Sequence, residues 1–221
     1  MDVVYLCRAG ENEELRYSLR SLKNIPHDRV WVVGDKPAWC NTHIIRNRNM
    51  GNKHKTTSQH LEMACMDSRI SNQFILFNDD FYVTEPTEIG HYNRGDVQDV
   101  LIDYLERFGQ GTYITGMRDT YALLKRLGLP TLSYELHIPM IIHKEKMLEA
   151  LELGKQITNL HKRTLYGNLI NTDSIYRQDV KFRKQDTVIP SGEFLSSDDT
   201  TFPKLQPMLN DLFPDRSEYE L

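Results

Sequence analysis

Phe74-Ile75-Leu76-Phe77-Asn78-Asp79-Asp80-Phe81-Tyr82-Val83 is an apolar run broken by a polar triplet and then resumed. The large apolar side chains from Phe74 to Phe77 suit a strand buried on both faces, as in the interior of a parallel sheet. Asn78 and the two carboxylates mark where that strand leaves the core. Two readings of the triplet stand side by side. Asn and Asp cap the turns that follow strands, and adjacent carboxylates at a strand end also ligate hard cations or act as general bases.

Upstream, Val3-Val4-Tyr5-Leu6-Cys7 is β-branched and aromatic and predicts a first, central strand. From Glu13 the period changes: Leu15, Leu19 and Leu22 recur at helical spacing, with Arg16, Arg20 and Lys23 on another side. Glu11, Glu13 and Glu14 suit the N-terminal end of that helix, and Pro26 stops it. Arg29-Val30-Trp31-Val32-Val33 predicts the second strand, Gly34-Asp35 a turn, and Ile44-Ile45 a weaker third strand. Strand, helix and strand at this spacing form a parallel crossover unit, so the expected fold is α/β, a mostly parallel sheet with flanking helices.

Ligands of open α/β sheets bind outside the carboxyl ends of the strands. Arg8, Asp35 and the triplet Asn78, Asp79 and Asp80 each follow a predicted strand, so they are expected to be neighbours. Residues 46–57 form a basic, polar loop that includes Arg46, Arg48, Lys53 and Lys55, ahead of a helix expected over Thr57 to Ser68. That loop reads either as a solvated connection or as a phosphate-holding loop at a helix N-terminus.

Beyond Pro86, helices are expected over Val97 to Phe108 and Arg118 to Leu127, as an insertion at about 95–130 that covers one face of the sheet. Leu132 to Ile142 reads as a strand on which Glu135 and His137 face the same way, His137 being either a core histidine or a catalyst. Helices are expected over Lys144 to Leu153 and from His161 to Ile170. On that second helix Arg163 projects inward or is solvated. A second acidic pair, Asp198-Asp199, reads as a helix cap, and the acidic tail at about 214–221 is expected to fray.

The chain of 221 residues, 39% hydrophobic and 26% charged, is long enough for one substantial core, and a single domain over 1–221 is the simplest organisation. Its 27 basic and 31 acidic residues leave a formal net charge of -4, which gives no global reason for a nucleic-acid or acidic-membrane partner. The acidic opening Met1-Asp2 is unlike a signal peptide, and no apolar stretch reaches membrane-spanning length, so a cytoplasmic protein is expected. Cys7, Cys40 and Cys65 are odd in number and far apart, the pattern of reduced buried thiols.

Taken together, the opening DVVY, ELRYSLRSL (Glu14 to Leu22), RVWVVGDKPAW (Arg29 to Trp39), FILFNDDFYV and HIPMIIHKEKM (His137 to Met147) resemble the Stealth-type sugar-phosphate transferases. That family includes bacterial capsule polymerases and the GlcNAc-1-phosphotransferase that tags lysosomal enzymes. The likeness runs in patches from Asp2 to about Glu149. Where the family has Thr-Trp-Val-Asp and a Gly after its first strand, this chain has Leu6-Cys7-Arg8-Ala9-Gly10. The short chain is similar to a minimal, phage-type glycosyltransferase, which would place it in the host cytoplasm.

The resemblance implies a Rossmann-like or GT-A-like nucleotide-sugar fold, a nucleotide-sugar donor of the UDP-linked kind, and Mg2+ or Mn2+. Asp79 and Asp80 would hold the metal, with Asn78 beside them, and His137 would serve as base or phosphate contact. Arg16 or Arg20, with Lys53, Lys55 or Arg163, would neutralise phosphate. The acceptor would be a carbohydrate, a wall polymer or a modified DNA base. Three functions follow: sugar-1-phosphate transfer with release of UMP, conventional glycosyl transfer with release of UDP, or nucleotide binding without turnover.

Overall fold

The computed structural model describes residues 1–8, 10–47 and 51–221. Ala9 and Arg48, which fall in two of the predicted loops, lie outside them. In chain order the elements are β1 (Asp2–Cys7), α1 (Glu13–Ser21), β2 (Val30–Gly34), β3 (His43–Arg46), α2 (Lys53–Met66), β4 (Gln73–Asn78) and β5 (Phe81–Val83). Then follow β6 (Tyr92–Asn93), α3 (Val97–Phe108), α4 (Thr112–Leu127), β7 (Met140–His143), α5 (Lys144–Leu153), α6 (Lys162–Ile170), β8 (Ile175–Tyr176), β9 (Phe194–Ser196) and α7 (Phe202–Leu212).

Among the described residues, the central sheet has the order β3-β2-β1-β4-β7. The first four run parallel, and β7 is antiparallel to β4. This is the expected α/β architecture with a mostly parallel sheet. β1 is central because its side chains feed two cores at once. Val4, with Trp31 and Leu76, packs under Leu61 and Ala64 of α2 and the helices α3 to α6. Val3 and Tyr5, with Val32, Ile75 and Phe77, face Leu15 and Leu19 of α1. Alternation along each strand delivers one set to each face.

Beyond the triplet the chain changes sheet: β5 pairs antiparallel with β9, Phe81 opposite Ser196 and Val83 opposite Phe194. Ser18 of α1 secures this step by donating to the Phe81 carbonyl at 2.5 Å. The triplet is therefore a joint between two sheets. The cysteines are free and buried. Among the described residues no helix is long and apolar enough to cross a membrane.

Three local expectations are corrected. Helix α2 begins at Lys53 rather than Thr57, because the Asn52 side chain accepts from the backbone N–H of His54 at 3.0 Å and of Lys55 at 3.1 Å. Lys53 and Lys55 thus stand on its first turn, not in a loop. The strand expected over Leu132 to Ile142 shortens to β7. Upstream of it, side chains replace strand pairing: Asn168 and Thr164 accept from the N–H of Leu132 and Tyr134 at 3.0 and 3.1 Å, and Arg163 donates to the carbonyls of Leu136 and Ile138 at 2.9 and 2.7 Å. Finally, the tail expected to fray is docked. Glu220 is buried between Arg20 at 2.7 Å and Arg16 at 2.8 Å, and Leu221 N–H donates to the Trp39 carbonyl at 2.8 Å.

Candidate active site

The parallel register sets the ends of β1, β2 and β4 side by side, Cys7 against Gly34 and Leu6 against Asn78. They open into a cleft of about 1050 Å³ at the carboxyl edge of the sheet. Arg8, Asp35, Lys53, Asn78, Asp79 and Asp80 all line it. Gly34 shapes its floor. With φ +116°, and a Cβ that would meet the Cys7 carbonyl and come within 2.6 Å of His60 Cε1, this position holds only glycine. The space goes to the His60 ring, which lines the cleft and whose buried Nε2 has no hydrogen-bond partner.

The carboxylates are crowded and incompletely paired. Asp79 accepts from the Asn12 side-chain amide at 2.7 Å, the same residue whose oxygen caps α1. Asp80 meets Lys181 at 3.3 Å through one oxygen, while its other oxygen is buried without a partner. Glu14, in the first turn of α1, accepts from Ser197 Oγ at 2.7 Å and lies 3.8 Å from Arg8. Asp199 binds Arg8, one of the two contacts being 3.0 Å.

Burial, together with the charges of Asp80, Asp79 and Asp199, pushes Glu14 up to about 7 despite its bond from Ser197. Burial and then the Asp80 charge likewise raise Asp79, against the pull of Asn12 and Arg8. Arg8, Arg46, Lys53 and Lys181 line the cleft with Glu14, Asp35, Asp79, Asp80, Asp198 and Asp199, so negative charge is left over.

Glu14, Asn12, Lys181 and Asp199 were not singled out as site residues by sequence reasoning. Glu14 carries a signal only for the helix dipole, and Lys181 sits in a segment legible merely as basic. The second acidic pair divides its roles: Asp198 caps the turn ahead of α7, rather than the helix itself, by accepting from Thr200 and Thr201 N–H at 3.0 and 3.1 Å, and Asp199 turns to the cleft.

Five expected site residues lie elsewhere. Arg16 is engaged by Glu13 and Glu220, and Arg20 by Glu220 and the Phe213 carbonyl, outside the cleft. Lys55 is exposed on the outer side of the first turn of α2 and does not line the cleft. Arg163 is buried under residues 136–138, where its guanidinium supplies the backbone bonds that a neighbouring strand would have made. His137 directs Nδ1 to Asp179 at 2.9 Å and lies outside the cleft.

No three His, Cys, Asp or Glu side chains among the described residues form a ready metal cluster. The chemistry of the donor set nevertheless fits a hard divalent ion. It is all oxygen, it includes the partnerless Asp80 atom, and its surplus charge adds to burial in raising Glu14. Asp79 and Asp80 are the side chains that would hold such an ion.

No family model matches the chain, and no curated protein matches it in sequence. Among solved structures it is similar to the galactosyltransferase LgtC in complex with donor and acceptor sugar analogues, with TM-score 0.40 and 13% identity over 76% of this chain and 70% of that one. An active-site mutant of LgtC gives 0.42 and 13%, over 76% and 69%. Mouse xyloside xylosyltransferase 1 in its apo form gives 0.38 and 6%, over 100% and 96%. Values this low leave the functional reading to the side chains of the cleft.

Proposed function

We propose that the chain is a nucleotide-sugar-dependent transferase that moves a sugar, or a sugar with its phosphate, to an acceptor hydroxyl in the cleft at the carboxyl edge of the sheet. The single observation that carries this reading is the under-neutralised cluster of Asp79, Asp80, Glu14 and Asp199, with Arg8, Lys53 and Lys181 around it. A diphosphate donor bound with a cation suits such a place: the ion satisfies the carboxylates, and the basic side chains take the phosphate oxygens. The size of the cleft suits a nucleotide sugar. Asp35 and the unpartnered His60 nitrogen offer an acceptor and a polar ring atom for the nucleoside end.

Within this reading Asp79 and Asp80 would hold Mg2+ or Mn2+, which when bound would supply charge neutralisation for the departing phosphate. Lys53 and Arg8 orient the diphosphate. A carboxylate of the cluster accepts the proton of the attacking hydroxyl, and its raised affinity for protons suits that work near neutral pH. In glycosyl transfer, the hydroxyl oxygen bonds to the anomeric carbon as the bond from that carbon to the diphosphate oxygen breaks, and UDP leaves. In sugar-phosphate transfer the hydroxyl attacks phosphorus, and UMP leaves.

The separation of His137 from the carboxylate cluster favours the first route, since the second assigned His137 as base or phosphate contact. The motif resemblance around Glu14 to Leu22 and Phe77 to Phe81 favours the second. A panel of UDP-sugars with Mg2+ or Mn2+, scored by chromatography of the released nucleotide, separates them. UDP is the expected product; UMP would establish the phosphate-transfer route, and the absence of nucleotide release from every donor contradicts both.

A further inference from the structure

A second cleft, of about 670 Å³, lies between α3 and the segment that runs from β8 toward β9. It meets the first at Lys181, a side chain that lines both. Lys181 Nζ is also the group that binds Asp80, at 3.3 Å, so the two clefts adjoin at a side chain of the carboxylate cluster.

The second cleft differs from the first in its chemistry. Its ions are matched, Arg94, Arg107, Lys181 and Arg183 lining it with Asp99, Asp103, Asp179 and Asp186: Arg107 binds Asp103 at 2.7 Å, Arg183 binds Asp179 at 3.1 Å, and Arg94 lies 3.8 and 3.9 Å from those same two carboxylates. Tyr104 OH accepts from Arg94 at 3.3 Å and Arg183 at 3.2 Å, which fixes both guanidinium planes along the wall. At the rim stand two exposed aromatic side chains, Tyr176 at 62% exposure and Phe108 at 48%, the Arg183 guanidinium lying over the Phe108 ring at 5.6 Å from its centroid. Gln178 and Gln185 add amides that both donate and accept.

Flat aromatic faces beside balanced, rigid donors and acceptors match a neutral polyhydroxylated ring, which has an apolar C–H face and an edge of hydroxyls. A polyanion would need surplus cations, and the guanidinium groups of this wall already have carboxylate partners. We infer that this second cleft is the acceptor site and takes a neutral carbohydrate, one of whose hydroxyls passes Lys181 to the carboxylate cluster. The inference rests on the transferase reading of the first cleft and adds to it the class of acceptor.

Saturation-transfer NMR with lactose and with maltose tests it. With the full chain, UDP and Mn2+ present, both disaccharides are expected to receive saturation on their ring C–H protons. Tyr176→Ala or Phe108→Ala is expected to reduce the effect at least about fivefold, the loss of one stacking face. Both side chains are exposed, so unchanged melting curves would show that the fold persists. No transfer from either disaccharide overturns the inference, as does an undiminished signal in both aromatic variants. Loss of the signal on adding UDP overturns it too, because the sugar then sits in the first cleft. So does salt-sensitive binding of duplex DNA that displaces the disaccharides. UDP failing to bind while disaccharide binding persists overturns the transferase reading, and with it the acceptor role. Binding of UDP without disaccharide overturns only the acceptor assignment.

Discussion

Asp79 and Asp179 are both partly buried aspartates beside basic side chains, and their surroundings treat them in opposite ways. Asp79 has Asp80 as its neighbour, with Glu14 and Asp199 close by, and it is pushed up. Burial opposes the charge of Asp179 too, but hydrogen bonds from the ring and the backbone of His137, with Arg94 beside them, hold it well below the usual carboxylate range. The second aspartate completes a matched ion cluster that supports structure. The first belongs to a cluster with surplus charge, which costs stability unless a ligand supplies what is missing. A local excess of charge, rather than the presence of acidic residues, distinguishes the site from the scaffold.

Substituting members of the two clusters should therefore break different properties. The largest effect is expected from Asp80→Asn, which should lower nucleotide release from a UDP-sugar at least about a thousandfold, or about 4 kcal/mol, with the melting temperature kept. Rates and melting curves measured on one preparation check this. Asp179→Asn should do the reverse. It leaves Arg94, Arg183 and His137 without their shared carboxylate and should cost about 3 kcal/mol of stability in urea unfolding.

The contrast was only partly legible in the sequence. Apolar runs and their spacing give the parallel sheet, the central place of β1 and the shared strand edge, because burial on both faces leaves a plain mark on composition. That edge brings Arg8, Asp35 and Asn78 to Asp80 together. Glu14 and Lys181 reach the same cleft by tertiary packing, which no local pattern records. His137 misleads for the same reason: it sits in an apolar run that resembles a strand, and the backbone there is held by side chains from a distant element, among them Arg163 of α6, whose inward place the helical pattern left open. Glu220 shows the limit of composition, since an acidic tail reads as frayed until Arg16 and Arg20 are placed beside it.

The pH dependence sharpens the comparison further. The Glu14 carboxyl sits at about 7 in the fold, above its unfolded value, so the folded chain binds more protons across the interval between. Its contribution to stability is present below the unfolded value and is lost as pH rises through about 7. Glu14→Gln should then raise stability at pH 8 by about 1–2 kcal/mol after screening and leave it unchanged near pH 4. Mg2+ should raise the wild-type melting temperature more at pH 8 than at pH 5.

Glu220 has the opposite sign: burial opposes its charge, but Arg20 and Arg16 lower it to about 2, so its contribution holds above the unfolded value and is lost as pH falls through about 2. Glu220→Gln should cost about 1 kcal/mol at neutral pH and leave turnover unchanged, which paired unfolding and rate measurements would show.

Isothermal titration of UDP into the full chain, with and without Mn2+, tests the central claim most directly. Binding is expected to require Mn2+ and to weaken at least about tenfold in Asp80→Asn, or about 1.4 kcal/mol, while Asp179→Asn, at a temperature where it is folded, keeps wild-type affinity. UDP binding that ignores Mn2+ and is unaltered by Asp80→Asn would contradict the assignment of the under-neutralised cluster as the donor site.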